Sequence, residues 1–380
     1  MRKLATMVLP LVIILAGAVI AVADSNTATQ YQVGDNNTAA IDQSGGNSNV
    51  AVQGQGATTL DEFWNGGALV TGNSAAITQT GDNNLATQIQ MGNSNTAIIT
   101  QLNGDNSAYQ EQTGNENYAE IYQEGSQGAN ALSPYGAEQY QAGEGNYARI
   151  VQLGAGNYGK QTQPGSGNGA SIDQTDTGNT AYQEQTGTGN SAQIWQWGTN
   201  PGQPDYGIYG AQQYQYGSYN MAQIGQSGND NLAWQEQSGN GNIAAITQQG
   251  EYNIAVQYQS GNYNFASIEQ YGTSNDAVQG QYGESGIAGI VQDGIGNFAG
   301  QDQSGYANTA DISQGGDSNY AIQVQYGDSG IATIAQAGSS NNAYQYQTGY
   351  ANTASITQGG IGNVASQYQS GSYNSATIVQ

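Results

Sequence analysis

The sequence predicts an all-β chain folded as a two-sheet β-solenoid, a cross-β stack of about fifteen strand-turn-strand coils of 22 residues each. Three observations predict it. An eleven-residue frame, N-x-A-x-(I/Q)-x-Q-x-G-x-x, recurs thirty times between Asn26 and Gln380. Its fixed residues fall on slots one, three, five and seven, a period of two that puts them on one face of an extended strand. Slot five alternates between Ile and Gln without a break, so the repeating unit is two frames long.

The chain opens with Met1, Arg2 and Lys3, an apolar run from Leu4 to Val22, and an Ala21-Val22-Ala23 site. This is the pattern of a cleaved secretory signal over residues 1–23. Pro10 and the small-residue end favour a signal over a membrane anchor, and no later stretch is apolar enough to span a bilayer. The exported part, 24–380, contains no Cys and therefore closes without disulfides. Its only bases, Arg149 and Lys160, stand against 28 acids, a net charge near −26 that argues against nucleic acid or anionic membrane as a direct partner.

Within the frame, slot one is Asn in 26 of thirty copies, among them Asn26, Asn37, Asn84, Asn231, Asn242, Asn253 and Asn374; the exceptions are Tyr135, Tyr209, Gly286 and Gly330. Slot three is Ala everywhere except Gly159. Slot seven is always Gln, as at Gln32, Gln43, Gln90, Gln237, Gln248, Gln259 and Gln380. At slot five, Ile41, Ile77, Ile99, Ile246, Ile268 and Ile378 alternate with Gln residues such as Gln235 and Gln257. Three insertions, 58–72, 126–134 and 199–208, and one extra residue before Asn49 follow the Gly position and leave the alternation in phase, which reads as surface loops between fixed elements.

Gly at slot nine predicts the bend between strands. Pro134, Pro201 and Pro204 fall in insertions and Pro164 beside a bend Gly, so none has to donate a ladder bond in mid-strand. Stacking coils roughly 4.8 Å apart gives a rod about 70 Å long with identical residues in columns. Asn and Gln columns can pass amide hydrogen bonds along the stack, which satisfies groups that are costly to bury unpaired. One Ile and two Ala per coil do not offset the ordering of 22 residues, so stability has to come from stacking. Repeats that run from the end of the signal to Gln380 predict uncapped, self-similar edges, which template further strands.

Outward acids are spaced so that none stands directly above another: slot six of the Gln-type strands reads Glu111, Tyr140, Thr162, Glu184, Tyr214, Glu236, Tyr258. Arg149 falls one coil after Glu120 in its column, and Lys160 one coil after Glu138, which predicts two stacked ion pairs. Outward Tyr residues such as Tyr258, Tyr346 and Tyr368 read as strand formers. Phe63 and Trp64 suggest a docking loop or a locally packed one.

With no His and no Cys, the usual general base, thiol nucleophile and transition-metal ligands are missing, and the acids do not converge. No catalytic residue, metal or cofactor is expected. A calcium-loaded repeat needs Asp in every turn, and Asp35, Asp82 and Asp230 occur only sporadically. An ice-binding rod is a rival reading, but the Thr row formed by Thr78, Thr100, Thr247 and Thr357 is interrupted by Tyr122, Asp173, Trp195 and Glu269.

The repeat resembles that of curlins, the major subunits of bacterial curli fibres. Their pattern, S-x5-Q-x-G-x-x-N-x-A-x3-Q, is met by Asn242 in the Ser slot, then Gln248, Gly250, Asn253, Ala255 and Gln259, with Ile246 at the family's apolar core position. The resemblance implies a nonenzymatic, secreted subunit that polymerises with itself into cell-surface amyloid fibres of a Gram-negative-type bacterium, within biofilm matrix that mediates adhesion. It also implies two partners, a nucleator subunit and an outer-membrane secretion channel. A minor nucleator of the same fibre and a monomeric adhesin rod are the alternatives. This chain departs from the pattern in using Asn for Ser, Gln257 and its equivalents for an apolar residue, and many more units; the family's short segment after the signal is essentially missing.

Overall fold

The computed structural model describes residues 25–56, 70–126, 136–200 and 210–380. The signal segment, the Phe63-Trp64 pair and residues 127–134 and 201–208 of the insertions lie outside the described residues. Among the described residues there is no helix, and none long and apolar enough to cross a membrane.

The chain winds as a parallel β-solenoid. One 15-stranded sheet collects every Gln-type strand and a second 15-stranded sheet every Ile-type strand, each in chain order. We call them the Gln sheet and the Ile sheet. Register is kept throughout: Ile246 stands beside Ile268 and Gln248 beside Gln270 in one sheet, and Gln257 beside Gln279 in the other. A regular strand has nine residues, such as Ile243–Glu251 or Ile254–Asn262, and so runs from slot two through slot ten. Slots three, five and seven are buried and the even slots face outward.

The two sheets face each other with slot three of one over slot five of the other. The fully buried Ile residues, Ile77 through Ile356, form one continuous cluster with the Ala residues of the Gln sheet, Ala51 through Ala365. Ile41 and Ile378, in the first and last Ile-type strands, pack partly buried against it. Gly159, the one missing Ala, sits where a Cβ would come within 3.2 Å of Ile150.

The reversal of chain direction differs from the expected single bend at slot nine. Strand pairing continues through that Gly, and each half-coil turns on two left-handed residues. Gly250 has φ 119° and Tyr252, at slot eleven, φ 57°. A Cβ on Gly250 would lie 2.0 Å from the carbonyl oxygen of Gly272 in the next coil, so close stacking as well as backbone angle demands Gly at slot nine. Asn103 and Asp176 replace it with φ 70° and 77°, residue types that tolerate this region.

Boundaries of all three insertions also move. Val70 and Thr71, assigned by the frame to the first insertion, pair with Gly34 and Asp35 and complete a turn of the solenoid. In the third, Thr199 belongs to the strand Ser191–Thr199, and Asn200 takes the slot-one place that the frame gave to Tyr209. The loop therefore enters one residue into the frame, because a carboxamide can continue the column and a phenol cannot. Ser126 likewise ends a strand, Tyr118–Ser126, opposite Ala155.

Candidate functional site

The distinctive chemistry of the molecule lies in its buried carboxamides. At slot one, the Oδ1 of Asn242 accepts the backbone N–H of Asn264 at 3.0 Å, and its Nδ2 donates to the carbonyl of Gly261 at 2.8 Å. Each Asn thus ties its own turn to the next coil through one acceptor and one donor. The same bonds place Asn26 under Asn49, Asn37 under Asn73, Asn84 under Asn106, Asn231 under Asn253, and Asn374 over Asn352. The column passes through Asn200, which donates its N–H to Asn179 and accepts from Asn231. Gly286 still donates its N–H to Asn264 but has no side chain to pass on.

At slot seven most Gln residues use both amide hydrogens. Gln248 Nε2 donates to Gln270 Oε1 and to the carbonyl of Leu232 on the facing sheet, both at 2.9 Å. Gln90 and Gln237 repeat this arrangement, and Gln32, Gln43 and Gln259 bond onward to Gln55, Gln79 and Gln281. Gln380 accepts from Gln358.

Slot five of the Gln sheet holds a third column. Gln235 donates to Gln257 at 2.8 Å, and Gln257 to Gln279 at 2.7 Å. The ladder runs unbroken from Gln53 to Gln367, every Nε2 aimed toward the C-terminal end. Its first acceptor, Gln53 Oε1, and its last donor, Gln367 Nε2, are buried without a partner. The ladder is polar: Gln53 lies one coil inside the stack, beside Gln30, whereas Gln367 is in the last strand of the sheet.

On the outer faces Glu120 stands beside Arg149, and Glu138 beside Lys160, in register. Lys160 Nζ lies 3.6 Å from Glu138 and 5.2 Å from the centre of the Tyr140 ring. Arg149 is 4.0 Å from Glu120, but its shorter contact, 2.7 Å, is to Asp173. Asp173 lies diagonally in the next coil, within reach of a guanidinium, and reading single columns missed it. Glu138, an outward residue, is only 5 % exposed and receives hydroxyl hydrogen bonds from Tyr140 and Tyr158. Column reading gave no signal of that burial. Burial also pushes the carboxyls of Asp276, Asp302 and Asp311 above the usual range; the Tyr326 hydroxyl donates to Asp302 and partly offsets it. Tyr182 is driven far up by burial and by neighbouring Glu184.

Fold and columns together define a class: a two-sheet parallel β-solenoid whose coils are joined by repeated carboxamide and Ile columns. The family model for the curlin associated repeat matches residues 71–102 and 305–338. Over these two stretches the chain is similar to the curlin-repeat family. A search of curated proteins finds no match.

Proposed function

We propose that this chain is a nonenzymatic structural subunit that is secreted, polymerises with itself at the cell surface into amyloid-type fibres, and serves adhesion and aggregation in a biofilm matrix. A nucleator subunit and an outer-membrane channel are its proposed partners, on the similarity to curlin repeats. The signal over 1–23, the loops between coils and the roles of the columns belong to the same proposal. The observation that carries it is the polar ladder from Gln53 to Gln367, whose last donor, Gln367 Nε2, is buried without a partner in the final strand of the Gln sheet. An unpaired buried amide is costly, and a second copy whose first coil stacks in register on the last one brings the Gln30 carboxamide to Gln367 Nε2. Every coil offers the next the same slots, so stacking between copies repeats stacking within one.

The test is to dilute chain 24–380 from denaturant with and without sonicated fragments of its own aggregate. Growth without a lag from fragments, and fibres with a reflection at roughly 4.8 Å along their axis, are expected. A chain that stays monomeric and ignores fragments contradicts the reading.

A further inference from the structure

The outer face of the Ile sheet carries two tryptophans on one strand, Trp195 and Trp197, at alternating positions that point the same way. Trp197 is 51 % exposed, and Trp195 is half-buried. Beside them in the next coil stand Gly225 and Ser227. Beyond these lie Thr247 and Gln249, and on the preceding side Asp173 and Thr175. Nothing lies within 4 Å of where a Cβ on Gly225 would be. Neither the Trp195 ring nor Thr247 closes over it, so an open notch one strand wide separates them. Along one side of it Gln223 donates to Gln193 at 3.1 Å, a carboxamide pair on the same outward face.

We infer that this notch binds a neutral polysaccharide, one hexopyranose unit over Gly225 against the Trp195 and Trp197 indoles. A pyranose has an apolar C–H face and a rim of hydroxyls. An exposed aromatic patch floored by Gly accepts the first, and Gln193, Gln223, Ser227 and Thr247 are placed to hydrogen-bond the second. Trp195 and Thr247 are two strand spacings apart, roughly 9.6 Å, which leaves room for a single ring between them.

Charge decides the class of sugar. Arg149, the one cation of this face beyond the signal, is engaged by Asp173 and Glu120, and Lys160 belongs to the other sheet. Against 28 acids in the chain, a uronate or sulfated sugar is repelled and has no free cation to meet it. The site stands whether or not the chain polymerises.

Depletion of refolded chain 24–380 from solution onto microcrystalline cellulose, and onto alginate beads as the anionic arm, tests the assignment. Binding to cellulose, little to alginate, and a change in tryptophan emission with soluble glucan oligomers are expected. The W195A/W197A double variant should weaken binding about tenfold or more. G225I is the sharper variant, because its side chain enters open space on an ordinary strand backbone; it should retain the native circular dichroism and lose binding. No depletion onto cellulose, equal depletion onto alginate, or unchanged binding by G225I overturns the inference.

Discussion

The Ile sheet and the Gln sheet are built on one frame and differ systematically at one buried slot. In the Ile sheet, slot five is a dry column: Ile268 is fully buried against Ala residues of the opposite sheet and has no polar group to satisfy. In the Gln sheet the same slot is a chain of amides in which each member depends on its neighbours, Gln257 accepting from Gln235 and donating to Gln279. The apolar column therefore fails locally when it is damaged, whereas the ladder leaves two further buried groups unpaired. The slot-five ladder is directional and the Ile column is not, and it runs the same way as the slot-seven ladders of both sheets.

Substitutions at facing slots break this contrast most directly. Gln257→Glu places a carboxylate where Gln279 Oε1 needs a donor, at an expected cost of about 4 kcal/mol at neutral pH by denaturant unfolding. Burial raises the pKa of such a carboxyl, so the variant should recover stability as pH falls and the group protonates. Ile268→Ala removes only packing and should cost about 3 kcal/mol at any pH. Gln257→Leu, which leaves Gln235 Nε2 and Gln279 Oε1 unpaired, should cost about 2 kcal/mol, with hydrogen exchange rising in the coils on both sides.

A smaller effect concerns three outward aspartates. Asp276, Asp302 and Asp311 have raised pKa values, mainly through burial, so their protonated forms favour the folded state. Their contribution is fully present below the ordinary value of 3.8 and is lost as pH rises through the raised ones. A triple Asp→Asn variant should flatten the pH dependence of the unfolding midpoint in that window. Smallest of all, Arg149→Ala should change stability by less than about 1 kcal/mol, and less still at high salt, because the partners are about a third exposed.

Most of the fold was legible because its determinants repeat. Alternation at slot five separated the two sheets, and period two identified the buried face. The remainder depended on what single columns do not show. Slot eleven varies freely as Tyr252, Ser274 or Gly296, since its requirement is a left-handed backbone and not a side chain, so it left no pattern to read. Asn200 was hidden because its onward partner, Asn231, lies across an insertion that the frame placed one residue too early. Asp173 reaches Arg149 along a diagonal, and the buried outward Glu138 owes its tyrosine partners to side-chain length as well as register.

The central claim is that the core of one sheet is a continuous, buried ladder of glutamine side chains. Residue-resolved hydrogen exchange of the carboxamide NH2 groups tests it most directly. Gln257 and Gln259 should exchange as slowly as the backbone amides of the strand Phe265–Thr273 that follows them. Exchange of both carboxamides at the rate of free glutamine, beside protected backbone, would contradict the account.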